Sequence, residues 1–189
     1  MPAFNNDKGS VVLISKDNRI DQLNYFEKMH HRIINEYKGI SLERASFTNP
    51  TNEAGNFRSA ASPVGFATPG YKNSQAISGN KEHTQEVQLL SKTFSPDGDG
   101  FEDALQLNYN FPDAGMIANA TIYSDRGTAI KHLVKNATLS TNGTIVWDGL
   151  NDNDQKASVG IYIIYLEVFN LKGEVKKYRK PCVLAAKLN

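Results

Sequence analysis

The sequence predicts an all-β protein in which residues 86–189 form an antiparallel β-sandwich of about seven strands. Short segments rich in β-branched and aromatic residues recur in this half, separated by turn-forming residues. Side chains alternate along residues 105–109 and again along residues 161–167, as expected of strands with one buried face. No stretch keeps the 3.6-residue period of an amphipathic helix, so we expect little helix.

The strands of this half are bounded by glycine-containing turns. Residues 125–127 and 171–173 supply two hairpin turns in which glycine is free to adopt φ > 0. Trp147 is the single tryptophan, and we expect it to pack between the two sheets rather than to stack on a ligand. The predicted strands are residues 86–92, 104–110, 117–124, 129–134, 144–147, 161–169 and 175–184.

The N-terminal residues 1–75 predict a smaller and incomplete β domain. Residues 9–15 and 20–26 predict a hairpin, and residues 39–45 predict a third strand. The polar residues 47–75 predict a loop, because Asn, Ser, Thr, Gly and Pro dominate them. Three aromatic residues of this loop are expected to contact the core: Phe57, Phe66 and Tyr71.

Length and composition are those of a globular protein with one or two domains. The chain has 189 residues, 40% of them hydrophobic and 22% charged. Residues 76–85 are polar and aperiodic and predict the linker between the domains. A net charge of +1 gives no electrostatic basis for binding nucleic acid or an anionic membrane. We find no apolar run near the ~20 residues that a membrane span needs, and no signal peptide.

The densest group of acidic residues lies in residues 94–103, between the first two strands of the predicted sandwich. Two Asp-Gly pairs follow a proline, and such residues favour a tight turn. Clustered carboxylates with a nearby carbonyl are the oxygen ligands that Ca²⁺ prefers, and an ion-free turn is the alternative. The expected ligands of a structural Ca²⁺ are the side chains of Asp97, Asp99 and Asp103 and the carbonyl of Phe101.

This acidic segment differs from an EF-hand. When Asp97 and Asp99 are aligned with positions 3 and 5 of the EF-hand loop, Ser95 and Gln106 occupy the two positions that hold its anchoring acids. A second acidic segment, residues 148–154, carries three aspartates and could lie near the first one in the fold.

The sequence contains no recognisable catalytic motif, and we expect no enzymatic activity. G-x-S-x-G, the P-loop and G-x-G-x-x-G are all absent. Glu27, His30, His31 and Glu36 lack the HExxH spacing of a zinc site, which favours an exposed connection. The other two histidines, His83 and His132, also fall in predicted loops or on strand surfaces, and Cys182 in its apolar surroundings indicates a buried, inert thiol.

The segments GSVVLISKDNRIDQLNY, GISLERAS and NFRSAASPVGFATPGYKNSQ resemble the C-terminal half of a bacterial lamin-tail domain. Phe57 stands where that family usually has tryptophan, and the N-terminal strands of that Ig-like sandwich are missing from the sequence. The resemblance therefore implies part of such a domain in a truncated chain. It rests on Gly39, residues 41–44, Phe57, residues 59–61, residues 68–70 and Asn73.

The segments TFSPDGDGFEDALQLNY, ATIYSDRGTAIKHL and GTIVWDGLNDNDQKASVGIYIIYLEV are similar to the Ig-like domain of flagellar hook-capping proteins. They are similar also to the gliding-motility-associated C-terminal domain of secreted Bacteroidetes proteins. The motif residues are 94–100 with Asp103, then 147–149, then 160–162. The resemblance implies an Ig-like sandwich and an extracellular or cell-surface location.

Together the two resemblances imply a non-enzymatic C-terminal module of a secreted or cell-surface bacterial protein. Such a module would serve attachment, display or export, and its partners would be upstream domains of the same protein or components of the cell envelope. The alternative is a carbohydrate-binding or accessory domain of an extracellular hydrolase. An exposed row of tyrosine or tryptophan would favour sugar binding, whereas buried aromatic residues would favour a scaffold.

Overall fold

The computed structural model describes residues 5–31, 34–77 and 85–186. Within them, helix is limited to two single 3-10 turns, Glu27–Met29 and Ser62–Val64, so the expected scarcity of helix is confirmed. None of the described helices has the length and apolar character needed to cross a membrane. The strands are β1 (Lys8–Ser15), β2 (Asn18–Phe26), β3 (Leu42–Arg44), β4 (Phe57–Ser59), β5 (Val87–Leu89), β6 (Thr93–Phe94), β7 (Leu105–Asn110), β8 (Ile117–Ser124), β9 (Ala129–Thr138), β10 (Asn142–Trp147), β11 (Gly160–Phe169) and β12 (Val175–Leu184).

Strands β5–β12 form two sheets that pack face to face, and the predicted β-sandwich is confirmed. One sheet has three strands in the order β10-β7-β5, and the other has five in the order β6-β12-β11-β8-β9. All pairs are antiparallel except β6 with β12, which run parallel. We refer to this unit as the sandwich.

The predicted strand 86–92 is shortened to β5, and an additional strand, β6, follows it in the other sheet. β5 pairs with β7, whereas β6 pairs with β12, so the sandwich has eight strands rather than seven. The chain crosses between the sheets at Leu90–Lys92, where the Ser91 hydroxyl donates to the carbonyl of Thr93. An exposed turn at this point allows one segment to contribute to both sheets.

The core of the sandwich lies between the two sheets and contains Trp147, as predicted. Its side chain is 1% exposed, and its ring centroid lies 5.1 Å from that of Phe94 and 5.0 Å from that of Tyr162. The indole N–H donates to the carbonyl of Leu150 at 2.8 Å. Full burial with a satisfied N–H makes this ring a stabilising element of the core.

The N-terminal part, residues 5–31 and 34–77, contains two separate two-stranded sheets. β1 and β2 form the predicted hairpin, and Lys16 and Asp17 both have positive φ, as the two central residues of a type I′ turn require. β3 pairs with β4, a strand of three residues that lies inside the segment predicted as a loop. The predicted core contact of Tyr71 is wrong, because this side chain is 83% exposed.

The N-terminal part packs on the sandwich through a hydrogen-bonded surface that we call the junction. The buried Gln75 donates from Nε2 to the carbonyl of Leu139 at 3.0 Å and accepts from the Gly115 N–H at 2.8 Å. Ser62 donates to Thr138, and Thr141 donates to the carbonyls of Ser74 and Ala76. Ala76, at the start of the predicted linker, is therefore buried in the junction, and residues 78–84 of that linker lie outside the described residues.

Candidate metal centre

The acidic loop, residues 95–103, connects β6 to β7 and brings the three predicted aspartate ligands together. Asp97, Asp99 and Asp103 each offer a carboxylate oxygen, and these oxygens lie within 4.8 Å of one another. Gly98 and Gly100 have φ values of 81° and 86°, which lets the main chain curl around the carboxylates. In the part of the chain that the structure describes, no other three Asp, Glu, His or Cys side chains approach so closely.

Main-chain N–H groups of the loop fix the positions of these carboxylates. Asp103 accepts from the N–H of Gly98 at 2.6 Å with one oxygen and from the N–H of Gly100 at 2.8 Å with the other. Asp99 accepts from the N–H of Phe101 at 2.9 Å, and Asp97 accepts from the N–H of Asp99 at 3.2 Å. Because each carboxylate oxygen has two lone pairs, these contacts leave acceptor capacity for a cation.

The donor set has the chemistry of a Ca²⁺ site. It consists of oxygens alone, and no described lysine, arginine or histidine forms an ion pair with Asp97 or Asp103. Ca²⁺ takes six to eight oxygen ligands, so three carboxylates would need main-chain carbonyls or water to complete the shell. The Phe101 side chain has no ligand atom, so its main-chain carbonyl is the group that this residue could contribute.

The second acidic segment adjoins the acidic loop only at its beginning. A Cβ atom added at Gly149 would lie 3.0 Å from Cγ of Pro96, so the turn after Trp147 packs against the start of the loop. The aspartates further along bind β9 instead: Asp152 contacts His132 Nδ1 at 2.5 Å, and Asp154 contacts Lys131 Nζ at 3.1 Å. These two aspartates therefore pair with basic side chains of β9.

The Asp152–His132 pair is exposed and well oriented. The main-chain N–H of His132 donates to Asp152 at 2.9 Å, and this contact together with the ring contact lowers the pKa of the Asp152 carboxyl. The described residues place no serine or cysteine hydroxyl or thiol on this imidazole by any hydrogen bond. The pair therefore links β9 to the turn that follows β10.

The remaining histidines and the cysteine also have defined positions. Nδ1 of His30 lies 3.1 Å from the hydroxyl of Ser59, and the His30 ring stacks on Tyr37. The grouping with Glu27, His31 and Glu36 yields no metal cluster among the described residues, and His83 lies outside them. Cys182 is the predicted buried thiol: its Sγ lies 3.6 Å from the carbonyl of Tyr162, and burial raises its pKa to about 12.

Arg58 is a candidate functional residue that the sequence analysis does not predict. It belongs to the short strand β4 and faces a cleft whose other walls come from distant parts of the chain. A lone arginine in a polar segment matches no binding motif, and only the packing of the N-terminal part on the sandwich reveals its surroundings.

Comparisons with known proteins give partial structural likenesses. No family model matches the chain, and no curated protein matches it. Among solved structures, FlgD from P. aeruginosa is similar over 52% of this chain and 69% of its own, with 13% identity and a TM-score of 0.36. PorZ, described as an essential bacterial surface component of the type IX secretion system of Porphyromonas gingivalis, is similar over 51% of this chain, with 14% identity and a TM-score of 0.33. This second likeness spans 11% of the PorZ chain.

Proposed function

We propose that this chain is a non-catalytic β module of a secreted or cell-surface bacterial protein, and that it serves attachment, display or export. The observation that carries the proposal is the meeting of the three hook-capping-type motifs at one place. Phe94 of the first motif and Tyr162 of the third both contact the ring of Trp147, which begins the second. Residues that are far apart in the sequence thus form one packed cluster.

The same cluster supports a rigid scaffold as the role of the sandwich. Gly149 closes it from the side, because a Cβ atom there would lie 3.2 Å from Leu184 and 3.5 Å from Phe94. The hydroxyl of Tyr162 donates to the carbonyl of Ser158 at 2.5 Å and so fixes the approach to β11. Tight packing of this kind favours a rigid attachment or display module over a flexible linker.

The acidic loop extends this role if Ca²⁺ binds to it. In the proposal, Asp97, Asp99, Asp103 and the carbonyl of Phe101 hold the ion, which would neutralise the repulsion among the carboxylates. Because the loop begins directly after Phe94, a bound ion would stiffen the connection next to the core cluster. The role of the ion would be structural.

The proposed partners are upstream domains of the same protein or components of the cell envelope. The N-terminal hairpin supports this, because it presents apolar side chains that the rest of the described chain leaves uncovered. Leu13, Ile14 and Ile20 are 58–61% exposed. A two-stranded hairpin with exposed apolar residues gains stability when another β-structure or protein surface covers it.

The buried aromatic residues favour this scaffold over a carbohydrate-binding domain. Trp147, Tyr109 and Tyr162 all lie in the core, where they are unable to stack on a sugar. Among the described tyrosine and tryptophan side chains, Tyr71 is the only exposed one, so they form no exposed row and favour the attachment role over the alternative.

The test is the location of the protein on the source cells. Antibodies raised against the chain should label intact cells, and mild protease treatment of intact cells should remove the label. A cytoplasmic protein of the same cells serves as the control for leakage. Labelling that requires lysis of the cells would contradict the proposed surface location.

A further inference from the structure

A cleft of about 460 Å³ lies between the N-terminal part and the sandwich. It is separate from the acidic loop, and the sequence motifs discussed above give it no role. One wall comes from the segment after β2 and from β4, and the opposite wall comes from the turns that flank β8 and β12. The residues that matter here are Lys28, Met29, Arg58, Gly115, Phe169 and Leu171.

Arg58 is the central polar group of this cleft. Its Nε is inaccessible to solvent and has no hydrogen-bond partner among the described residues. No described carboxylate forms an ion pair with its guanidinium. A partly buried cation without a counter-ion is costly, and burial accordingly lowers the pKa of Arg58. The cleft therefore holds a positive charge that no described carboxylate compensates.

Two glycines, Gly55 and Gly115, lie against the side chain of this arginine. A Cβ atom at Gly55 would lie 2.5 Å from Nη2 of Arg58, and one at Gly115 would lie 3.5 Å from its Cδ. Gly55 and Gly115 also have positive φ values of 84° and 77°, so other residues would be strained there. The Arg58 side chain thus passes Gly115 of the cleft lining at its Cδ, and its Nη2 lies next to Gly55, which is outside that lining.

The surrounding charges have the same sign as Arg58. Lys28 lies exposed at the rim, and the described residues of the lining include no acidic one. Glu27, whose charge acts on the His30 imidazole, lies outside the lining. Met29, Phe169 and Leu171 supply apolar surface beside these cations.

We propose that this cleft binds an oxyanion, a carboxylate or a phosphate, carried on a small and partly apolar molecule. Arg58 would donate two parallel hydrogen bonds to the oxyanion through its planar guanidinium. This geometry fits a carboxylate as well as a phosphate. Lys28 would add a second positive charge at the rim, and the apolar wall would contact the rest of the ligand. A volume of this size is typical of small-molecule sites.

The experiment is calorimetric titration of the whole chain at low ionic strength with three probes: inorganic phosphate, phenyl phosphate and benzoate. Wild-type protein should bind at least one of the two aromatic probes more tightly than inorganic phosphate. Arg58→Gln should weaken that binding by about tenfold or more, as expected from loss of a charged hydrogen bond. Lys28→Gln should weaken it by less, about two- to fivefold. Arg126→Gln, in the exposed turn between β8 and β9, should leave it unchanged.

If Arg58→Gln fails to fold, chemical-shift mapping of the wild-type protein tests the proposal instead. Addition of the bound probe should shift the amide signals of Gly115 and Gly173, both of which line the cleft. Shifts confined to other parts of the protein would overturn the proposal. It would also be overturned by the absence of binding to all three probes, or by equal affinity in wild type and a folded Arg58→Gln. A preference for phenyl phosphate or for benzoate identifies the oxyanion, and both preferences support the site.

Discussion

Glu43 accepts a hydrogen bond of 2.6 Å from the hydroxyl of Ser74, which lies 31 residues further along the chain. The carboxylate is only 4% exposed, and it also accepts from the hydroxyl of Thr68 and from the N–H of Gln75. Gln75 in turn contacts the sandwich at Leu139 and Gly115. A continuous set of hydrogen bonds therefore links β3 to the opposite side of the junction.

Glu43→Gln should destabilise the protein by about 2–3 kcal/mol, because it replaces a charged acceptor of three donors by a neutral amide. Urea unfolding monitored by circular dichroism measures the change. Glu53→Gln, at an exposed position, is the matched control and should change the free energy of unfolding by less than about 0.5 kcal/mol. Equal effects of the two substitutions would contradict the role assigned to Glu43.

Trp147→Ala should lower the free energy of unfolding by about 3–5 kcal/mol, because it removes a fully buried ring that contacts Phe94 and Tyr162. In the wild type, the emission of this single tryptophan should shift to longer wavelength on unfolding. Phe101→Ala serves as the control, since that ring is 73% exposed and should contribute little. A wild-type emission maximum typical of water would refute the core position.

Ca²⁺ should raise the melting temperature if the acidic loop binds it. Extracellular Ca²⁺ sites have Kd values of about 10⁻⁴–10⁻³ M, and at about 100-fold excess over Kd the gain in stability is about 2.7 kcal/mol. Melting curves with Ca²⁺, with Mg²⁺ and with chelator measure the effect. The double variant Asp97→Asn, Asp99→Asn should lose it, and Asp113→Asn should keep it. Identical curves for wild type in Ca²⁺ and in chelator would establish the ion-free turn.

Acid should release the hairpin from the rest of the N-terminal part. The Thr51 hydroxyl, the Gln22 N–H and Arg44 all contact Asp21 and hold its pKa below the ordinary value of 3.8. The resulting stabilisation is fully present above pH 3.8 and is lost as the pH falls through the lower value of the folded state. The Asn24 amide, which donates to Asn52 beside this contact, reports the change by NMR.

In Asp21→Asn, the Asn24 signal should lose its pH dependence in this range. Asp7→Asn, an exposed position at the start of the hairpin, should retain it. If the Asn24 signal titrates in the same way in all three proteins, another carboxyl is responsible.

The sandwich was largely predictable because its strands carry clear local patterns. Leu105, Leu107 and Tyr109 alternate with polar residues, and the face of β7 that carries these three side chains is buried. The alternation of apolar and polar side chains expected along residues 161–167 does not hold in β11, because both of its faces are apolar apart from Glu167. The sequence alone therefore does not show which face of this strand is buried. In the structure, the buried face carries Tyr162, Ile164, Leu166 and Val168, and Ile161 lies on the outer face.

The two candidate sites differ in how far apart their residues lie in the sequence. The acidic loop could be predicted because all of its proposed ligands lie within residues 97–103, so local spacing already brings them together. The cleft at Arg58 could not be predicted, since Lys28, Arg58 and Leu171 meet only through the packing at the junction. β4 was missed for a related reason: three residues are too few for a periodic pattern.

The parallel pairing of β6 with β12 has a mechanical consequence. These are an early and the final strand of the sandwich, joined where Val183 donates to Lys92 at 2.8 Å and Ala185 donates to Phe94 at 2.9 Å. Tension applied along the chain before β6 and after β12 pulls the two strands in opposite directions along their length. The bonds between them are then loaded in shear and must break together, whereas antiparallel strands pulled from one end separate one bond at a time. This pair of strands therefore resists tension along the chain better than an antiparallel pair of the same length would.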